Sequence, residues 1–100
     1  MAAPPFTIKT TLEFDTQLAR IARDDAGKHR KVLKTIRILR DLGPAYPSLH
    51  SHKYQSLTGP NNEDIWESYV ENQTPGAWRL FWCYARHPDV IILITVGPHP

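Results

Sequence analysis

WRLFWCY, residues 78–84, is the most aromatic stretch of the sequence and contains one charge, Arg79. Aromatic residues favour β-strands, and strand side chains alternate between the two faces of a sheet. One face of the predicted strand carries its most apolar positions: Trp78, Leu80, Trp82 and Tyr84. The other face carries the remaining three: Arg79, Phe81 and Cys83. The first set is the better core face, which leaves Arg79 on the open face.

Two further strands flank this one. Residues 65–70, IWESYV, alternate, so Glu67 and Tyr69 share one face. Residues 90–96, VIILITV, are almost entirely apolar, as in a buried strand. Turn-like segments at 72–76 and 87–89 separate the three runs. This pattern predicts a three-stranded antiparallel meander.

The first half of the chain predicts one strand and two helices. Residues 6–10, FTIKT, alternate as in a short strand, and Thr10 with Glu13 has capping-box spacing. Helical periodicity predicts helices over about 12–24 and 28–42, with a turn over 24–27 between them. Residues 44–62 are loop-like, with a short extended piece over 54–57. The predicted buried stripe of the second helix has five members: Val32, Leu33, Ile36, Leu39 and Leu42.

This order of elements predicts an α+β fold of strand, helix, helix and three strands, with the helix hairpin packed on one sheet face. The 100 residues fit one domain, spanning 1–100. We expect Trp82 and Leu80 to be buried against three residues of the helices: Phe14, Ile36 and Leu39.

Composition excludes several classes of protein. With 41% hydrophobic and 22% charged residues the chain is an ordinary globular protein, and its one cysteine, Cys83, rules out an internal disulfide. The N-terminus lacks a signal-peptide pattern, and no apolar run approaches the ~20 residues of a membrane span. We therefore expect a cytoplasmic protein without membrane contact. His50 and His52 have chelate spacing but no carboxylate or cysteine close by in sequence, so we predict no metal and no cofactor.

The two signs of charge are separated along the chain. Residues 28–40 contain six Lys and Arg and no acid, whereas residues 63–71 contain four acids and no base. These segments are either two solvated faces or two binding surfaces. The net charge of +2 permits a nucleic-acid partner but does not argue for one.

The order and spacing of these segments resemble the RelE/ParE superfamily of bacterial type II toxins. The resemblance covers nearly the whole chain and is carried by four segments: TLEF (11–14) followed by Leu18, HKYQSLTG (52–59), WRLFW (78–82) and VIILITVGPH (90–99). It implies a RelE-like fold and a toxin inhibited by a cognate antitoxin. RelE-like members cleave mRNA on the ribosome without a metal, whereas ParE-like members inhibit DNA gyrase. Both activities remain open, as does a fold relative without toxicity.

The resemblance also implies a catalytic site. Arg79 matches the strand arginine that holds the scissile phosphate, and His99 matches a basic position after the last strand, where it would be a general acid or base. Antiparallel pairing would bring both to one edge of the sheet. Tyr69 would stack on or position RNA. Glu67 is a candidate base from its place on the open face and not from a motif match.

Further residues are candidates for RNA binding. His52 and Lys53 belong to the segment that borders the family's cleft. The basic face of the second helix would contact RNA, gyrase or an acidic antitoxin segment, and it comprises Arg30, Lys34 and Arg37. Glu67 and Tyr69 replace two lysines of RelE, and this missing pair favours the ParE-like alternative, whereas His99 counts against it. A second departure from the family pattern is Pro100, which replaces the tyrosine that often follows the histidine.

Overall fold

The computed structural model describes residues 3–59 and 61–98. Within them the elements are β1 (Thr7–Thr10), α1 (Leu12–Asp24), α2 (Ala26–Asp41), a short 3₁₀ helix (Pro47–Leu49), β2 (His52–Thr58), β3 (Asp64–Tyr69), β4 (Trp78–Tyr84) and β5 (Val90–Pro98). The strands form one sheet in the order β1-β5-β4-β3-β2, in which β1 runs parallel to β5 and the other pairs are antiparallel. The predicted α+β class is confirmed. No helix in the described ranges is long and apolar enough to cross a membrane.

The antiparallel part of the sheet has four strands, one more than the predicted three-stranded meander. Residues 52–58, which the sequence suggests are mostly loop, form β2 at the sheet edge. Every side chain of β2 except the half-buried Tyr54 is exposed, so no apolar alternation marks the strand. The register between β2 and β3 also shifts between Lys53 and Thr58. This edge strand therefore has neither the composition nor the regularity from which strands are recognised.

The helix starts are set by two side-chain caps. The Oγ1 of Thr11 accepts a hydrogen bond from the backbone N–H of Phe14 at 3.1 Å, so the cap of α1 lies one residue after the predicted Thr10. Asp25 caps α2 in the same way, accepting from Lys28 N–H at 3.0 Å. Asp25 alone separates the two helices, so α2 begins at Ala26, earlier than the predicted residue 28.

The main core lies between the helices and one face of the sheet. Trp82, Leu80, Phe14 and Leu39 are fully buried in it and Ile36 packs against it, which confirms the predicted facing of β4. The predicted helix stripe is wrong at two positions, because Leu33 and Leu42 are 38% and 51% exposed. The buried line of α2 runs instead through Val32, Thr35 and Leu39. The Thr35 hydroxyl donates to the Lys31 carbonyl at 3.0 Å, which satisfies this buried polar group within the helix.

Two side chains, one from the cap of α1 and one from the helix itself, extend the bonding of β5 beyond the end of β1. Residue Ile94 is unpaired in the β4–β5 ladder, where Phe81 pairs with Thr95 and Trp82 with Leu93. The Thr11 hydroxyl donates to the Ile94 carbonyl at 3.1 Å, and the Gln17 Oε1 accepts from Val96 N–H at 2.9 Å. These contacts satisfy backbone groups that the short β1 does not reach.

Candidate functional site

Four polar side chains lie on the open face of the sheet, where β2, β3 and β4 adjoin. We call them the open-face cluster: His52, Glu67, Tyr69 and Arg79. His52 pairs directly with Glu67 across β2 and β3, and Tyr69 pairs with Arg79 across β3 and β4. Directly paired residues project to the same face, so strand register brings together side chains that are far apart in sequence.

Glu67 is at the centre of this cluster. Its side chain is 2% exposed, and its Oε1 lies 3.2 Å from Nε2 of His52 and 3.5 Å from Nε of Arg79. A buried carboxylate is costly unless cations or hydrogen-bond donors surround it. The two contacts meet that requirement, so Glu67 holds both neighbours in place and is itself shielded from solvent.

Contacts at both ring nitrogens fix the orientation of His52. Its Nδ1 lies 2.7 Å from the His50 carbonyl oxygen. A carbonyl can only accept, so Nδ1 carries a proton and donates it, while Nε2 faces Glu67. His50 itself adopts a left-handed backbone conformation, with φ of 46°. The side chain of His52 is 49% exposed, compared with 2% for Glu67 and 11% for Arg79. Of these three side chains, His52 is therefore the most accessible to a ligand.

The guanidinium of Arg79 lies over the Tyr69 ring. The guanidinium carbon is 3.6 Å from the centre of the Tyr69 ring, and the His50 ring centre lies 4.8 Å from the same ring. The Nη1 of Arg79 donates to the carbonyl oxygens of Glu71, at 2.6 Å, and Trp78, at 3.1 Å. Arg79 is on the open face as predicted, but its side chain is only 11% exposed. Two of its three guanidinium nitrogens therefore contact the protein itself: Nε faces Glu67, and Nη1 is bonded to the two carbonyls.

Lys53 is not part of the cluster. It pairs with Trp66, so it projects to the opposite face of the sheet from His52. Its Nζ lies 3.2 Å from Oδ2 of Asp64, in an exposed ion pair. The expectation that Lys53 borders the same site as His52 is wrong, because adjacent strand residues face opposite ways.

The other predicted site residues lie elsewhere. The basic residues of α2 are exposed on the helix layer: Arg30, Lys34 and Arg37. His99 lies outside the described residues. Across residues 3–59 and 61–98, no group of three or more His, Cys, Asp or Glu side chains is arranged to hold a metal ion.

Sequence reasoning missed Glu71, which connects α2 to the cluster. Its carboxylate accepts from Lys28 Nζ at 2.7 Å, from Lys31 Nζ at 2.9 Å and from Trp78 N–H at 3.2 Å. These bonds lower the pKa of Glu71 to about 2, and the hydrogen bond from Lys28 makes the largest contribution. The backbone carbonyl of Glu71 is the acceptor that holds Arg79. The separation of charge along the sequence was the signal that could have revealed Glu71. In the structure this residue of the acidic segment, 63–71, pairs with two lysines of the basic segment, 28–40.

The fold of this chain is similar to that of several solved structures. The chain superposes on the YoeB dimer structure from Staphylococcus aureus with a TM-score of 0.69 at 9% identity, covering 96% of this chain and 99% of that one. For the archaeal RelE–RelB complex from Pyrococcus horikoshii the TM-score is 0.64 at 16% identity, covering 94% of each chain. For a metal-bound toxin from Helicobacter pylori it is 0.68 at 19% identity, again covering 94% of each.

No family model and no curated protein matches the sequence. The structural likeness nevertheless extends over nearly the full length of each chain compared. The protein therefore shares its fold with these YoeB and RelE structures, as its sequence segments predict.

Proposed function

We propose that this chain is the toxin of a type II toxin–antitoxin pair and that it cleaves mRNA on the ribosome, in the cytoplasm and without a metal. The fold and the sequence resemblance support the toxin class. The observation that carries the proposed activity is His52, a half-exposed imidazole held between the Glu67 carboxylate and the His50 carbonyl beside a guanidinium.

Cleavage by this route needs two proton transfers and a cation. The ribose 2′-oxygen loses its proton to a base and bonds to the adjacent phosphorus, while the bond from phosphorus to the 5′-oxygen breaks and that oxygen gains a proton from an acid. Negative charge grows on the phosphoryl oxygens and requires a nearby cation. The products are a 2′,3′-cyclic phosphate and a 5′-hydroxyl.

The cluster provides groups for each of these tasks. His52 transfers one of the two protons, which assigns it a catalytic role in place of the RNA-binding role suggested by the sequence. His99 is the proposed partner for the second transfer, on the strength of the family resemblance. Arg79 stabilises the phosphoryl charge through Nη2, because Nη1 is bonded to backbone carbonyls and Nε faces Glu67, and the Tyr69 ring supports the guanidinium. Glu67 is a positioning residue, because it is buried and acts through His52 and Arg79.

The test compares purified variants on programmed ribosomes and on free mRNA. The parent chain should produce cyclic-phosphate ends only when ribosomes are present, and it should leave gyrase supercoiling unchanged. His52→Gln should abolish most of this cleavage. His87→Gln is the matched control, because His87 is exposed in the turn between β4 and β5. Absence of cleavage by the folded parent would refute the proposed activity.

One observation favours a second candidate function, inhibition of gyrase by a non-catalytic ParE-like toxin. Glu67 is buried and Arg79 is largely buried, with two of its hydrogen bonds made to backbone carbonyls. Such an ion pair also suits a protein surface that binds without chemistry. Gyrase-dependent DNA damage in cells, with translation unaffected, would favour this alternative.

The proposed partner is a cognate antitoxin. Among the similar structures are a RelE–RelB complex and a YoeB–YefM complex from Staphylococcus aureus. The basic residues of α2 offer an acidic antitoxin segment a complementary surface. A gene for a small acidic protein beside this one, whose product co-purifies with the chain and blocks its activity, would support the assignment.

A further inference from the structure

We propose that the cleft between α2 and the turn after β3 binds the phosphate backbone of single-stranded RNA next to the cleavage point. This inference rests on the proposed ribonuclease function and extends it to a second binding region. The cleft has a volume of about 370 Å³. Its walls include Lys31 and Lys34 from α2 and Asn72 and Thr74 from the turn.

The cleft adjoins the open-face cluster. Tyr69 lines the cleft and also contacts the guanidinium of Arg79. The side chain of Glu71 lines it too, while the backbone carbonyl of Glu71 holds Arg79. Tyr69 and Glu71 therefore join the cleft to the position of Arg79, and we place the neighbouring part of the RNA strand in the cleft.

The charges that face the cleft favour an anion. Lys31 and Lys34 face it from α2, and Glu71 is the carboxylate among its lining residues. The Glu71 carboxylate is already neutralised by Lys28 and Lys31, at 2.7 and 2.9 Å. Lys34 is exposed and makes no ion pair with the described residues. The charged residues that line the cleft, Lys31, Lys34 and Glu71, therefore sum to +1. Lysine binds phosphate as a point charge without demanding a fixed geometry.

The size and the remaining side chains fit a polynucleotide segment. Small-ligand sites begin at about 300 Å³, so the cleft holds a group of about one nucleotide. Asn72 and Thr74 are exposed at its rim and offer an amide and a hydroxyl to sugar or phosphate oxygens. These contacts carry no base preference, so the cleft would position RNA without reading its sequence.

The experiment measures binding separately from cleavage. A short fluorescent single-stranded RNA with 2′-O-methyl groups at every position is the probe, because it lacks the attacking hydroxyl. Its affinity for the parent, Lys34→Ala and Lys9→Ala is measured by anisotropy over a series of salt concentrations. Lys9 is the matched control, since it is an exposed lysine on β1 at the far edge of the sheet.

Lys34→Ala should weaken binding several-fold and reduce the slope of log affinity against log salt by about 0.7, the value for one phosphate contact on a single strand. Lys9→Ala should change neither quantity. Thr74→Glu, which adds a negative charge at the rim, should weaken binding as well. Thermal unfolding of each variant checks that it is folded.

Each outcome separates this inference from the proposed function. If the parent cleaves mRNA but Lys34→Ala binds and cleaves like Lys9→Ala, the cleft proposal is wrong and the ribonuclease function stands. If Lys34→Ala loses affinity although the parent never cleaves, the ribonuclease function is wrong and the RNA-binding cleft stands. A parent chain that does not bind the probe at low salt overturns the cleft proposal.

Discussion

The Nε2 atom of His52 lies 3.2 Å from the Oε1 atom of Glu67, and the two residues are direct partners across β2 and β3. One member of this pair is half-exposed and the other is buried. The imidazole of His52 is therefore accessible to solvent, and the buried carboxylate of Glu67 sets its orientation. This arrangement underlies the first two predictions.

His52→Gln should lower the rate of ribosome-dependent cleavage by about 10²–10⁴-fold, the usual effect of removing a general acid or base. The side chain is half-exposed, so the fold should tolerate the change. Primer extension on programmed ribosomes measures the rate, with His87→Gln as control. A rate equal to that of the control would remove His52 from the chemistry.

Glu67→Gln should lower kcat with little change in KM, and by less than His52→Gln, because Glu67 acts by orienting the imidazole. Nitrogen NMR of the His52 ring gives a readout that is independent of activity. In the parent Nδ1 contacts the His50 carbonyl and Nε2 faces the Glu67 carboxylate, so both nitrogens should report a hydrogen bond to an acceptor, whereas the variant should show a more mobile or mixed population. An unchanged ring spectrum together with unchanged kcat would contradict the positioning role.

Arg79→Ala should lose both cleavage and stability. Removing the guanidinium leaves Glu67 buried with one cation fewer, which typically costs about 3–5 kcal/mol, and removes phosphoryl stabilisation equivalent to about a hundredfold or more in rate. Arg79→Lys separates the two effects, because it keeps the charge but not the planar fork. It should remain folded by circular dichroism and still cleave poorly. Full activity of folded Arg79→Lys would count against phosphate binding by Arg79.

Low pH should destabilise the protein through Glu71. Its pKa is lowered from 4.5 to about 2 in the folded state, so the unfolded chain takes up the proton first as the pH falls. The stabilisation is therefore fully present above about pH 4.5 and is lost as the pH falls towards about 2. Urea unfolding across this window should be less pH-dependent in Glu71→Gln than in the parent, whereas Glu13→Gln, at an exposed position of α1, should behave like the parent. Equal slopes for all three would show that Glu71 does not carry the effect.

Reversing the charges of Arg30, Lys34 and Arg37 to Glu should weaken binding of an acidic antitoxin several-fold at low salt and less at high salt, because salt screens exposed charges. Isothermal titration with the product of the adjacent gene would measure this. An unchanged affinity at low salt would place the antitoxin on another surface, with the open sheet face the next to test.

Trp82→Ala should cost about 3–5 kcal/mol of unfolding free energy, because Trp82 is fully buried and leaves a cavity. Trp82→Phe should cost less, since it retains an aromatic ring in the stack with Trp66 while losing the hydrogen bond from Nε1 to Ser68 at 2.9 Å. A melting temperature of Trp82→Ala within a degree or two of the parent would contradict the packing.

The sequence predicted best where packing dominates. The bounds of β4, residues 78–84, are as predicted, because apolar and aromatic side chains fill both of its faces. The length of β2 was underestimated, as a short extended piece over 54–57, because its side chains are mostly exposed and its pairing with β3 is irregular. The burial of Thr35 in place of Leu33 depends on the rotation of α2 about its axis, which hydrophobic periodicity alone does not fix.

The site shows the same division. Alternation along β3 and β4 predicted that Glu67, Tyr69 and Arg79 share a face, and the structure agrees. The contact of His52 with Glu67 requires the β2–β3 register, which no local pattern encodes. The burial of Arg79 depends on carbonyl groups that the β3–β4 connection brings to it.

The position of β5 affects how the chain is made. β5 is the last described strand in sequence, yet it lies between β1 and β4 and bonds to both. During translation β1 emerges first, but β5, the strand that pairs with it in the described sheet, is synthesised after β2, β3 and β4. The described sheet therefore closes only when β5 has left the exit tunnel, because β1 has no strand partner before that point.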